Sequence, residues 1–280
     1  NDQTHKKSIH LVKTAFEKGI NFFDTAPNYG LGLSETILGK ALKGIREHVV
    51  INSKFGHHDH GQIQFDESLL LPSITSSLKR LQTNYLDSLI LHNPPMYILK
   101  GESNHFKLLK QYKKEGLIRG YGVSIDTYEE LLEALKHPID VIELMYNIFF
   151  QSTRNLLNVI KEKEIALIIK VPLDSGWLTG KYDHNQTFND IRKRWTKADI
   201  LRRANLVTQV KKICDTDEIT PYALHFLWSY DAVTTVIPGT RNLKQLESSL
   251  NALNLKYDFK MTKSFEDLYD RYIKIKPLPW

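Results

Sequence analysis

Residues 87–125, DSLILHNPPMYILKGESNHFKLLKQYKKEGLIRGYGVSI, decide the fold. Two short β-rich apolar runs, DSLILH at 87–92 and GYGVSI at 120–125, flank a stretch of helical period over 104–115 that Gly116 closes. That pattern reads as strand, helix, strand, and a helical crossover of this length joins parallel strands. The same alternation repeats on either side. Strands are expected at 20–25 (INFFDT), 48–53 (HVVINS), 140–146 (DVIELMY), 166–172 (ALIIKVP) and 233–237 (VTTVI). Their unbroken Val/Ile/Leu character suits strands covered on both faces. Helices are expected over 6–18, 34–43, 66–82, 127–136, 152–163, 197–213 and 220–230, with two more near 242–252 and 263–273. Ser34, Asp66, Thr127 and Thr220 stand where N-terminal caps belong, and Gly19, Gly44 and Gly116 where helices end.

A regular strand–helix alternation of this length points to an α/β fold, a (β/α)8 TIM barrel occupying residues 1–280 as a single domain. Seven strands are legible, and the chain opens on what reads as an outer helix. The first barrel strand is therefore expected ahead of Asn1, because a missing stave leaves two strand edges exposed. An open doubly wound sheet is the alternative.

Composition sets further bounds. The 280 residues are 41% hydrophobic and 25% charged, close to globular averages. The formal net charge of +6 is spread without a long basic block, so neither nucleic acid nor a membrane is expected as a partner. A lone cysteine, Cys214, rules out an internal disulfide framework and fits a reducing, cytoplasmic compartment. Oligomeric state is not legible.

Four polar residues stand where apolar strands give way to loops: Asp24 and Tyr29 after INFF, Lys54 in VVINSKFG and His92 in DSLILHNPP. In such a fold the C-terminal strand ends share one mouth. A carboxylate, a phenol, an amine and an imidazole brought together suit proton transfer to or from an oxygen, with Tyr29 as the acid. Taken singly, Asp24 also reads as a loop cap, Tyr29 as a turn residue and His92 as an ordinary core histidine. The run His57, His58, Asp59, His60 is read as a solvated loop rather than a metal site, since adjacent residues in an extended loop splay apart. Trp195, Trp177, Tyr97 and Phe149 are candidates for the substrate mouth, with ordinary packing as the alternative.

The ordered series of motifs resembles the aldo-keto reductase family over nearly the whole chain, in its bacterial branch with short substrate loops. The carriers are GINFFDTAPNYGLGLSETILGKAL at 19–42, Lys54 in INSKFG, LQTNYLDSLILHNPP around His92, and YGVS at 121–124. They continue with YN at 146–147, PLDSGWLTGKY at 172–182 and VIPGTRNLKQLESSL at 236–250. The resemblance implies NADPH-dependent reduction of a small aldehyde or ketone. Tyr29 would donate the proton, Lys54 would lower the phenol's pKa, Asp24 would hold Lys54, and His92 would orient the carbonyl. It also implies a set of cofactor contacts. Ser124 and Glu143 stand at carboxamide positions, where the family usually has Gln rather than Glu143 and Asn rather than Ile125. Lys170 replaces the usual stacking aromatic, with Trp177 a substitute. The backbone at Leu173, Asp174 and Gly176 would cradle the pyrophosphate. Gly239, Thr240 and Arg241 would meet the 2′-phosphate, and Gln245, Ser248 and Ser249 would flank the adenosine. The same set serves an NAD(P)+-dependent alcohol or sugar dehydrogenase, and a cofactor-binding regulatory protein of this fold is a further alternative.

Overall fold

The computed structural model describes residues 2–57, 62–256 and 258–280. The chain divides into two compact units: Asn1–Leu144 with Val159–Ile168, and Met145–Asn158 with Ile169–Trp280.

In the first unit the strands are β1 (Phe22–Asp24), β2 (Val50–Phe55), β3 (Leu86–His92), β4 (Ile118–Ile125) and β5 (Val141–Met145), with β6 (Ala166–Lys170) starting here. Successive pairs from β1 to β5 are parallel and follow sequence order. Helices α1 (Asp2–Glu17), α2 (Leu33–Ala41), α3 (Leu70–Leu81), α4 (Met96–Leu99), α5 (His105–Lys114) and α6 (Tyr128–Ala134) connect them. Helix α7 (Leu157–Glu162) precedes β6. The second unit carries α8 (Lys197–Cys214), α9 (Thr220–Trp228), β7 (Val233–Val236), α10 (Leu243–Leu250) and α11 (Phe259–Tyr272). Ile237 N–H donates to Ile169 O just past β7. Sequential parallel strands with intervening helices are the (β/α)8 pattern expected from the sequence.

The expected burial on both faces is present: every residue of β5 is buried, as is every residue of β2 after Val50. No helix among the described residues is long and apolar enough to cross a membrane.

Several boundaries differ from expectation. Helix α2 starts at a Gly32 cap with φ 79°, and Ser34 lies inside it. The reason is local: the Ser34 hydroxyl accepts from Thr25 Oγ1 at 2.9 Å. Thr220 is likewise the first helical residue, behind an Ile219 cap. The 66–82 and 152–163 segments open as 3-10 turns, at Glu67–Leu69 and Arg154–Leu156, before α3 and α7 begin. The four-residue helix α4 was not anticipated. Thr127 does cap α6, in a reciprocal capping box with Glu130.

Candidate active site

Strand periodicity builds the site in the first unit. Asn52 and Lys54 are two apart on β2, so they share one face, while Ser53 points to the other. Ser53 Oγ donates to Glu35 Oε1 at 2.7 Å, and Arg80 pairs with Glu35 at 2.6 Å. Glu35 is thereby spent on joining β2, α2 and α3. The opposite face carries the candidate chemistry. Parallel register puts Asp24 beside Asn52, Asn52 beside Ser88, His92 beside Ser124, and Ser124 beside Glu143.

Lys54 is fully buried, and its ammonium donates to Asp24 Oδ1 in a very short contact. It also donates to Thr25 O at 3.2 Å and lies 3.1 Å from Glu143 Oε2. Lys54 Nζ stands 5.5 Å from the centre of the Tyr29 ring, and the Tyr29 and His92 rings meet edge-on at 6.2 Å. All four strand-end residues therefore come together. Tyr29 as a whole residue is 38% exposed, so part of its ring reaches solvent while its hydroxyl faces the buried cluster.

Three participants were not assigned these places from sequence. Asn52 donates to Asp24 Oδ1 at 2.7 Å and is itself held by Ser88 Oγ at 2.5 Å. His57 stacks on His92 with ring centres 4.2 Å apart. Glu143, expected at the cofactor, sits inside the polar cluster: Ser124 Oγ donates to its Oε1 at 3.1 Å and Asn52 Nδ2 to its Oε2 at 3.4 Å. A polar residue inside an otherwise apolar strand was the available signal for Asn52 and Glu143. His58, Asp59 and His60 lie outside the described residues.

Electrostatics departs from the expectation for Tyr29. Its pKa is pushed up to about 12, chiefly because the phenol is desolvated; Lys54 pulls it down, and Asp24 and Glu143 push it further up. Desolvation also raises Asp24 to about 7, against the pull of Lys54 and with Glu143 adding to the rise. The Lys54 ammonium is held protonated: burial opposes its charge, but Asp24 and Glu143 outweigh it. Two carboxylates around one buried cation leave the cluster short of positive charge, so it holds protons tightly.

In the second unit Lys170 ends β6, and Asp174, Ser175 and Gly176 follow with left-handed φ of 44°, 52° and 97°. The Gly176 and Leu178 amides both donate to Leu173 O, at 2.8 and 3.1 Å. Asp174 is buried and pairs with Arg203 at 3.1 Å. Farther on, Arg241 is exposed near Gly239, around which a Cβ would meet nothing within 4 Å. Asn242 caps α10 by accepting from Gln245 N–H at 3.0 Å, while Gln245 Oε1 accepts from Arg241 N–H at 2.8 Å. Thr240, Ser248 and Ser249 are half-buried.

Of the four aromatic candidates for the mouth, Trp177, Trp195 and Phe149 are buried, as the ordinary-packing alternative has it, and Tyr97 is exposed. Trp177 packs among Tyr182, Phe188 and Trp195, because an apolar ring cluster gains more from burial than from solvent.

Comparison with known proteins bears on the family and the fold. The family model described as the aldo/keto reductase family matches residues 1–270. L-galactose dehydrogenase of Arabidopsis thaliana is 30% identical over 258 residues, covering 88% of this chain and 77% of that protein. The NADH-specific methylglyoxal reductase of Escherichia coli is 28% identical over 271 residues, covering 88% and 82%. Among solved structures, the holo form of an aldo-keto reductase from Bacillus halodurans superposes with a TM-score of 0.80 at 24% identity, covering 94% of this chain and 87% of that one.

Proposed function

The chain belongs to the aldo/keto reductase family, and we propose that it reduces an aldehyde or ketone with NADPH, Tyr29 delivering the proton to the carbonyl oxygen. The observation that carries this reading is the meeting of Lys54, Asp24, Tyr29 and His92 at the strand ends, with the ammonium buried and Tyr29 partly exposed.

Bound NADPH supplies the hydride. The rest falls to the chain's own side chains. A phenol with a raised pKa holds its proton throughout the neutral range, so Tyr29 is loaded as an acid before the carbonyl arrives. Its proton moves only as negative charge builds on the substrate oxygen, when the adjacent Lys54 charge favours the phenolate. Asp24 holds the ammonium in place, and Asn52 holds Asp24. His92, backed by the His57 ring, orients the carbonyl oxygen.

The second unit's residues fit the cofactor. Arg241 offers an exposed guanidinium near an uncrowded Gly239, suited to a 2′-phosphate. Thr240, Gln245, Ser248 and Ser249 would flank the adenosine, and Leu173, Asp174 and Gly176 the pyrophosphate. Lys170 would stand near the nicotinamide. The Asp174 carboxylate is no obstacle to an anion, since Arg203 already neutralises it.

The test is NADPH oxidation with 4-nitrobenzaldehyde, followed at 340 nm, with a parallel NADH arm. Wild type is expected to turn over with NADPH in preference to NADH. Tyr29→Phe should lose about 10²–10⁴-fold in kcat while keeping NADPH affinity. Turnover by Tyr29→Phe at the wild-type rate would remove Tyr29 from the mechanism, and a preference for NADH would overturn the 2′-phosphate reading.

A further inference from the structure

We propose that Glu143 is a positioning residue acting through Lys54: a second buried carboxylate that, together with Asp24, ties down the ammonium and weakens its effect on Tyr29. The inference rests on the proposed role of Tyr29 as proton donor.

The geometry is specific. Lys54 Nζ has three hydrogens, and Asp24 Oδ1, Thr25 O at 3.2 Å and Glu143 Oε2 at 3.1 Å all draw on them. The Tyr29 phenol therefore shares the ammonium with two carboxylates and a carbonyl. Glu143 is only 2% exposed, and its oxygens are engaged by Ser124 Oγ, Asn52 Nδ2 and Lys54. A carboxylate so engaged is poorly placed to receive a carboxamide NH2, the task expected for it from sequence. It faces inward, toward the cation.

Charge counting gives the consequence. With Asp24 alone, the buried Lys54 would form a neutral pair, and its field on Tyr29 would be offset once. With Glu143 added, the ionised cluster carries a net negative charge, and a negative charge near a phenol favours the protonated form. The charged and titratable groups around Tyr29 are Asp24 from β1, Lys54 from β2, His57 from the loop after β2, His92 from β3 and Glu143 from β5. Asn52, Ser88 and Ser124 complete the cluster without charge. Glu143 thereby biases the site toward a proton held on Tyr29, which favours reduction over the reverse reaction.

Glu143→Gln is nearly isosteric, and its amide oxygen can still accept from Lys54, so it chiefly removes charge. Two measurements test the idea. The first follows Tyr29 in the cofactor-free protein by NMR of 13Cζ-tyrosine, its signal identified by its absence in Tyr29→Phe. Tyr29 is expected to titrate at least about one pH unit lower in Glu143→Gln than in wild type, and to stay near wild type in Glu143→Asp. The second is oxidation of 4-nitrobenzyl alcohol with NADP+, in which Tyr29 must accept a proton. Its kcat/KM on the rising alkaline limb should increase about tenfold in Glu143→Gln for each unit by which Tyr29 falls.

A merely structural Glu143 would lower thermal stability and leave both readouts in place. An unmoved Tyr29 titration in a folded Glu143→Gln protein overturns the proposal, as does a Glu143→Asp protein that behaves like the Gln variant. The two readings fail separately. If Tyr29→Phe keeps full activity, the proton-donor reading falls while the NMR shift still decides the role of Glu143.

Discussion

The Asp174–Arg203 pair in the second unit offers a demanding test of the packing. Both side chains are fully buried, 3.1 Å apart. Arg203 also donates to Pro279 O at 2.6 Å and lies 4.2 Å over the Trp195 ring. Removing one partner leaves the other charge in an apolar interior, which costs about 3–5 kcal/mol. In a chain of this length that lowers Tm by on the order of 10 °C. The two single variants should nevertheless differ with pH. In Asp174→Leu the guanidinium cannot shed its proton, so the loss should be similar from about pH 5 to about pH 8. In Arg203→Met the orphan is a carboxyl whose pKa is already raised by burial against the pull of Arg203, and loss of that pull raises it further. It neutralises by taking up a proton. Arg203→Met should therefore be least destabilised in acid and lose stability as pH rises through the folded-state pKa. Urea unfolding of wild type, both single variants and Asp174→Leu/Arg203→Met, each at acid and neutral pH, measures this. The double variant should recover much of the loss. The reasoning is refuted if the singles each cost under about 1 kcal/mol and add without coupling, or if the Arg203→Met deficit does not depend on pH.

Two further outcomes follow from the first unit. Asp24 has a folded-state pKa of about 7 against an ordinary 3.8, so its protonated form favours the fold. That contribution is complete below about pH 4 and lost as pH climbs through about 7. The stability of wild type relative to Asp24→Asn, by urea unfolding of the cofactor-free proteins, should fall across that window; a difference that is flat or rises with pH contradicts the assignment. Gly56 follows Lys54 by two residues at φ +114°, and a Cβ there would lie 2.1 Å from the Phe65 ring. Gly56→Ala should destabilise by about 1–3 kcal/mol or more and disturb the end of β2; an unchanged Tm would show that the ring moves aside freely.

The strand ladder was legible because β2 to β6 are covered on both faces and so carry continuous apolar runs that polar loops interrupt. Asp24, Lys54 and His92 stood out for the same reason: a charged or basic group at the end of such a run must find a partner or a ligand. The caps were less legible. Ser34 has the right side chain for a helix start, yet a hydroxyl contact from Thr25 takes it, and Gly32 makes the turn. For Trp177 and Trp195 the sequence left mouth and core both open, since it shows that a ring sits in a loop but not that neighbouring rings enclose it.

Alternation, strand ends and chemical type are properties of neighbouring residues, which is why the chain's order alone conveyed a barrel-class fold and a set of proton-handling groups. The place of Glu143 could not be read that way. It lies 89 positions after Lys54, and only the stacking of parallel strands through Asn52, Ser88 and Ser124 brings its carboxylate to 3.1 Å from the ammonium. The sign of the Tyr29 shift was decided chiefly by desolvation of the phenol, with Asp24 and Glu143 adding to it. A lysine beside a phenol, read alone, predicts a stronger acid; the solvent excluded by the fold and the two carboxylates it brings near outweigh that lysine, so the phenol keeps its proton.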